Sequence, residues 1–266
     1  MANVQAVALD RALPVIAGMI TDRTGVIVRR ANGAATDGEV IYLPHRGSEL
    51  HMTERALVES VGYIYHEAGH ILETDFSVPP GSGLKRAVRN ILEDIRIETR
   101  MGLRLPAAGR YLNRMVGFLV ADAEEDPEKG FQKLQEGATE AQVLQALMLY
   151  RLRSEVLGQT VLAGHVEQAE AFAEAMFPKT MLTKLNALMF EVRACQSTAD
   201  VFELTDAILE MIKEEQEEQE RLQQQQKDGQ DGQDGQDGQD GQDGQDGQDG
   251  QDGQDGQDGQ DGQDGQ

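Results

Sequence analysis

The sequence is poor in cysteine and in long apolar runs, and both shortages exclude classes of protein. Cys195 is the single cysteine, so a disulfide framework and a cysteine-based zinc site are excluded. No run of 18 apolar residues occurs, so no membrane span is expected. The first twenty residues lack a basic leader and carry Asp10 and Arg11 within their apolar part, unlike a signal peptide. We therefore expect a cytoplasmic protein.

Basic residues are also scarce, and this shortage bears on partners. The net charge is −23. Residues 228–266 are thirteen copies of Asp-Gly-Gln; they carry thirteen of these charges and leave a net charge of −10 on residues 1–227. Because an acidic surface repels phosphate groups, we expect neither nucleic acid nor an anionic membrane as a partner.

The Asp-Gly-Gln repeat has no apolar residue and no proline. Glycine in every third position without proline does not form a collagen-like helix. One negative charge per three residues with so much glycine predicts a disordered, extended tail over residues 228–266. The remaining chain, residues 1–227, is long enough for one good-sized domain or two small ones.

Apolar spacing along residues 1–227 predicts a mainly α-helical protein with a small β-structure. Two β-rich runs, residues 25–28 and 40–43, flank the turn signals Asn32-Gly33 and Asp37-Gly38 and predict a hairpin with a long loop. Its edge could pair with an extended peptide, or the strands could simply pack on a helix. Helical spacing covers residues 4–20, 53–74, 84–101, 106–121, 139–157, 165–177 and 179–193, and a last stretch from residue 197.

Residues 66–70 carry the pattern His-Glu-x-x-His within the helix predicted over residues 53–74. Residues four apart lie on one helix face, so His66 and His70 can grip one zinc ion. Glu67 projects beside the metal, where a carboxylate can take a proton from a zinc-bound water. The alternative is a buried helix whose histidines bond to backbone groups. We favour the metal site because this pattern has a catalytic mechanism.

A catalytic zinc site needs a third protein ligand, and the next predicted helix offers one. Glu93 follows His70 by 23 residues, across a loop long enough to turn the chain back, and we predict it as the third ligand. Asp94 could instead bind the metal or hold a histidine ring, and Asn90 shares the face of Glu93. Without the motif, these acidic residues would be read as a solvated helix face.

Asp75 is a rival third ligand. A compact zinc signature places glycine three residues, and the third ligand six residues, after its second histidine. Here these positions are Glu73 and Phe76, so the glycine is missing and Asp75 is displaced by one residue. We rank it below Glu93.

These segments, His66 to His70, Thr74 to Phe76 and Asn90 to Glu98, resemble the gluzincin-type zinc metallopeptidases. More narrowly, residues 1–220 resemble the N-terminal region of bacterial and phage CobT-like proteins, named after a cobaltochelatase subunit. The resemblance implies a zincin-like α+β fold with His66, His70 and Glu93 as Zn²⁺ ligands and Glu67 as the base. The acidic stretch from Asp122 to Gly130 indicates a loop or boundary, so we expect a zincin-like metal-binding domain over residues 1–121, with a helical region over residues 122–227 packed on it.

The same resemblance implies two functions. The first is a zinc-dependent metallopeptidase that hydrolyses a peptide or protein substrate. The alternative is a non-catalytic helical subunit or adaptor of a CobT-like assembly, either a chelatase that handles cobalt or magnesium or a complex with an ATPase. In that group the region precedes a von Willebrand A domain, whose Asp-x-Ser-x-Ser motif does not occur in this sequence. An ATPase or a separate A domain is therefore the partner expected for the alternative.

Overall fold

The computed structural model describes residues 6–45, 53–126 and 128–230. These residues form α-helices joined to a small sheet, as the sequence predicts. The elements are α1 (Ala6–Thr21), β1 (Ile27–Ala31), β2 (Ala35–Thr36), β3 (Val40–Pro44), α2 (Glu54–Glu73), α3 (Gly83–Arg104), α4 (Pro106–Glu125), α5 (Glu140–Glu155), α6 (Ala163–Met176), α7 (Lys179–Met189) and α8 (Thr198–Gln230). Short 3₁₀ turns occupy Thr160–Leu162 and Phe190–Ala194. None of the described helices has an apolar stretch long enough to cross a membrane.

The small sheet has the strand order β1-β3-β2, and the predicted hairpin of the two β-rich runs is wrong. β1 pairs with β3 in parallel, with Ile27 opposite Val40, whereas the short strand β2 is the antiparallel partner of β3. The turn that joins β2 to β3 is the second turn signal of the sequence. In it Asp37 Oδ1 accepts hydrogen bonds from the backbone N–H groups of Glu39 and Val40. Gly38 adopts φ +94°, a conformation that favours glycine.

The described residues form two hydrophobic cores, and helix α3 contributes side chains to both. The first joins α1, the sheet and α2, and it includes Leu13, Ile41, Leu43 and Ile64. In β3 the buried side chains alternate with partly buried ones, as expected for a strand with one face on a core. The second core joins α3 to α8 through the residues Leu92, Ile95, Met148, Leu152, Leu185 and Ile208.

The chain divides into two units, residues 1–220 and residues 221–266. The predicted division between residues 121 and 122 falls inside α4, and it stays a prediction. Helix α8 reaches Gln230 and so includes the first copy of the Asp-Gly-Gln repeat. The rest of the tail predicted to be disordered lies outside the described residues.

Helix α2, which carries the His-Glu-x-x-His pattern, lies within the predicted residues 53–74, and Thr53 is its N-cap. Thr53 Oγ1 accepts a hydrogen bond of 3.1 Å from the backbone N–H of Ala56 and satisfies one free donor of the first turn. The loop after α2 contains Pro79-Pro80-Gly81 and returns the chain into α3. Helix α3 continues past the predicted end at residue 101 and ends at Arg104, because Pro106 starts α4.

Candidate metal centre

The two histidines of α2 lie one above the other, as their spacing predicts. The ring centroids of His66 and His70 are 5.0 Å apart, with an interplanar angle of 83°. Both Nε2 atoms face Asp94 of α3: Asp94 Oδ1 lies 3.2 Å from His70 Nε2 and 3.7 Å from His66 Nε2. One ligand atom from each of these three residues lies within 4.8 Å of the other two.

Asp94 therefore takes the place that the sequence analysis gave to Glu93. Adjacent residues of a helix point about 100° apart, so only one of the two carboxylates can face α2 in this way. Glu93 Oε1 instead accepts hydrogen bonds from Thr74 Oγ1, Arg96 Nη2 and Thr198 Oγ1, at 2.7, 2.7 and 2.9 Å. It is buried, and it is outside the group of possible metal ligands.

The other two candidate residues also lie outside this group. Asp75 is exposed, and its Oδ1 accepts a hydrogen bond of 2.9 Å from the backbone N–H of Ser77. Asn90 is exposed on α3. In the described part of the chain, no hydrogen bond or ion pair joins either residue to His66 or His70.

A residue that the sequence analysis did not single out, Glu98, supports His66. His66 Nδ1 lies 3.0 Å from Glu98 Oε1, so the carboxylate can accept the Nδ1 proton and leave Nε2 facing Asp94. Glu98 follows Asp94 by four residues and so lies on the same face of α3. That spacing is the sequence signal by which it could have been found.

Glu98 is in turn held by Arg153, which comes from α5. Arg153 Nη2 donates to Glu98 Oε1 at 3.0 Å, and Arg153 Nη1 donates to Glu98 Oε2 at 3.3 Å. Gln159 Nε2 also donates to Glu98 Oε2, at 3.2 Å. All three residues are buried. Arg153 Nη2 lies 3.7 Å from Asp94 Oδ2 as well, so one guanidinium faces two carboxylates of the cluster.

The charges of the cluster shift its pKa values in opposite directions. Burial works against a charged His66 ring, but the carboxylates of Asp94 and Glu98 outweigh it and raise the pKa of His66 to about 9. Burial likewise favours the protonated form of Asp94 and Glu98. The positive charges of His66 and Arg153 nevertheless hold the pKa of each carboxyl below its ordinary value.

Glu67 differs from the other acidic residues of the site. Its side chain is buried at 3% exposure, and no hydrogen bond or ion pair holds it among the described residues. Burial is the main reason why the pKa of Glu67 is raised, and the charges of His66 and His70 only partly oppose this. A carboxylate with a raised pKa and a free oxygen is suited to accept a proton.

The donor set and the charge fit a divalent cation. Tetrahedral zinc with bonds of about 2.0–2.1 Å holds neighbouring ligand atoms about 3.3 Å apart. The distances of 3.2 and 3.7 Å from Asp94 Oδ1 to the imidazole nitrogens are close to this spacing. With both imidazole rings neutral, as metal binding requires, and Glu67, Asp94 and Glu98 ionised, the carboxylates outweigh Arg153 by two negative charges, which one divalent ion would balance.

Comparison of the chain with models of known protein families, with curated proteins and with solved structures gives no match.

Proposed function

We propose that the protein is a zinc-dependent metallopeptidase. The observation that carries this proposal is the convergence of His66 Nε2, His70 Nε2 and Asp94 Oδ1 beside the buried, unpartnered carboxylate of Glu67. Two imidazoles and one carboxylate form a donor set that catalytic zinc sites use, and three protein ligands leave one position open. The resemblance to gluzincin-type peptidases supports the peptide bond as the substrate.

His66, His70 and Asp94 would hold the ion. When it is bound, zinc lowers the pKa of a water molecule to about 7 and polarises a carbonyl group. Glu98 would keep the proton of His66 on Nδ1, so that Nε2 offers its lone pair. Arg153 would keep Glu98 ionised and balance part of the negative charge of Asp94.

Glu67 would serve as the general base and then as the general acid. Its raised pKa brings the carboxyl nearer to neutral pH than an exposed glutamate, so it can accept a proton and release it again. It would take the proton from the attacking water and pass it to the leaving amine. If this assignment is correct, replacement of Glu67 by glutamine should remove the proton transfer and leave zinc binding unchanged.

Two measurements on the purified chain test the proposal. The first is metal content after zinc loading: wild type and Glu67→Gln should each hold about one zinc per chain, and His70→Ala should hold none. The second is cleavage of a peptide library. Wild type should cleave peptides, and Glu67→Gln should lose at least about 100-fold of the rate, in the range of a lost acid–base catalyst. Glu59→Gln, two turns earlier on α2, is the matched control and should cleave as wild type does.

The outcomes separate the two functions that the resemblance implies. A zinc-free wild type would contradict the metal site itself. A wild type that holds zinc but cleaves no peptide would contradict the peptidase and favour the adaptor of a CobT-like assembly, whose partner would be an ATPase or a von Willebrand A domain. Equal activity of wild type and Glu67→Gln would remove Glu67 from the mechanism.

A further inference from the structure

A chain of hydrogen bonds runs from the second histidine into the C-terminal part of the protein. His70 Nδ1 lies 3.0 Å from Thr74 Oγ1, and Thr74 Oγ1 lies 2.7 Å from Glu93 Oε1. Thr198 Oγ1 lies 2.9 Å from the same oxygen of Glu93. We call His70, Thr74, Glu93 and Thr198 the threonine relay. It is separate from the contacts of Glu98 and Arg153, which support His66.

The direction of each bond in the relay follows from the number of protons available. Arg96 donates to Glu93 through Nε at 2.9 Å and through Nη2 at 2.7 Å, so both oxygens of Glu93 act as hydrogen-bond acceptors. Thr74 has one hydroxyl proton and must donate it to Glu93. Its oxygen can then only accept from His70, which requires the proton on Nδ1.

This direction determines which nitrogen of His70 can bind a metal. With the proton on Nδ1, the lone pair of the neutral ring is on Nε2, the atom that faces Asp94 Oδ1 at 3.2 Å. Glu93 thus acts on the ligand atom through Thr74 and does not have to touch a metal.

Thr198 is the last residue of the relay and contacts Glu93 from α8. It is the first residue of α8 and has 4% exposure. Its Oγ1 accepts a hydrogen bond of 2.9 Å from the backbone N–H of Asp75 and therefore donates its proton to Glu93. Arg96 Nη1 also donates to the backbone carbonyl of Gln196, at 3.3 Å, which joins Glu93 and its partner to the same segment.

We propose that Glu93 and Thr198 are positioning residues for His70, so that the metal affinity of the site depends on a hydroxyl group in α8. This inference rests on the proposed metal site, and it adds a residue from the C-terminal part of the chain to that site. Removing an outer hydrogen-bond partner of a metal ligand costs about 10–100-fold in metal affinity.

The experiment compares valine, which removes the hydroxyl and keeps the shape, with serine, which keeps the hydroxyl. Zinc affinity is measured on the full chain by competition with a chromophoric chelator. Thr74→Val should weaken zinc binding by about 10–100-fold. Thr198→Val should weaken it by about three- to tenfold, the value of one ordinary hydrogen bond. Thr74→Ser and Thr198→Ser should bind as wild type does.

Thr205→Val is the matched control. Thr205 is also buried on α8 and also donates its hydroxyl proton, to the backbone carbonyl of Val201, but it forms no hydrogen bond with Glu93. It should lose stability as Thr198→Val does and keep the zinc affinity of wild type. Equal losses of affinity in Thr205→Val and Thr198→Val would contradict the relay.

A second readout keeps the relay separate from the proposed function. Nitrogen NMR of the metal-free protein at alkaline pH reports which nitrogen of His70 carries the proton. We expect Nδ1–H in wild type and in Thr74→Ser, and a shift towards Nε2–H in Thr74→Val. A wild type with the proton of His70 on Nε2 would overturn the inference even if the protein binds zinc. Failure to bind zinc with the proton on Nδ1 would contradict the metal site and leave the relay supported.

Discussion

Arg153 Nη2 and Glu98 Oε1 form a buried ion pair of 3.0 Å between helices α5 and α3, although 55 residues separate them in the sequence. Their side chains are only 7% and 3% exposed. Because Glu98 also contacts His66 Nδ1, this pair joins the second hydrophobic core to the candidate metal centre. The helices after residue 121 are thus part of the surroundings of the site.

Replacement of Arg153 by methionine should therefore destabilise the metal-free protein strongly. It leaves the carboxylate of Glu98 buried without its partner, and breaking a buried pair in this way costs about 3–5 kcal/mol. Arg151→Met, two residues earlier on α5, removes more exposed ion pairs with Glu155 and Glu170, each of which should contribute about 1 kcal/mol or less. Urea unfolding measures both. Similar losses in the two variants would show that the Arg153–Glu98 pair contributes no more than a surface pair.

Three carboxylate replacements test the choice of Asp94 over Glu93 as the third ligand. Loss of an outer hydrogen-bond partner of a metal ligand weakens metal binding by up to about 100-fold. Asp94→Asn removes a proposed ligand and should weaken zinc binding by more than this. Glu93→Gln should stay within that range, because Glu93 reaches His70 only through Thr74. Asp75→Asn should bind zinc as wild type does. Chelator competition gives all three affinities, and a larger loss in Glu93→Gln than in Asp94→Asn would restore Glu93 as the ligand.

The sequence predicts the features of the site that depend on one helix, but not those that depend on packing between helices. Spacing of four residues on one helix predicts that His66 and His70 face the same side, and the structure confirms it. The choice between Glu93 and Asp94 depends on how α3 is rotated about its axis against α2. That rotation is set by packing on both cores, and adjacent residues of a helix give no simple signal for it.

The long-range contacts of the site could not be predicted from the sequence either, because they also depend on how the helices pack. Arg153 and Thr198 lie in unremarkable helical segments, and only tertiary packing brings them to Glu98 and Glu93. The sheet is a similar case. Turn signals at Asn32-Gly33 and Asp37-Gly38 predict where the chain reverses, but not that the two long strands pair in parallel with β2 on the far side of β3.

The raised pKa of His66 predicts a pH-dependent zinc affinity. Zinc binds the neutral imidazole ring. Because the pKa of His66 is about 9, the ring is doubly protonated and positively charged at pH 7, and zinc must displace one of its two ring protons. Zinc affinity should therefore increase by about tenfold per pH unit from pH 7 and level off near pH 9. Calorimetry in two buffers of different ionisation enthalpy should also detect release of one proton. A flat profile between pH 7 and 9 would contradict this competition.

If the proposed site binds zinc, removal of the ion should lower the stability of the whole compact unit, because the three proposed ligands come from α2 and α3, which between them contribute to both hydrophobic cores. A ligand that binds only the folded chain at a free concentration of 100 times its Kd adds about 2.7 kcal/mol to the free energy of unfolding. Urea unfolding with buffered zinc and with a chelator should differ by this amount in wild type and in Glu67→Gln, since Glu67 is not a ligand. Asp94→Asn should show little difference at the same zinc concentration. Identical unfolding curves of wild type with and without zinc would mean that the three side chains approach one another without binding the ion.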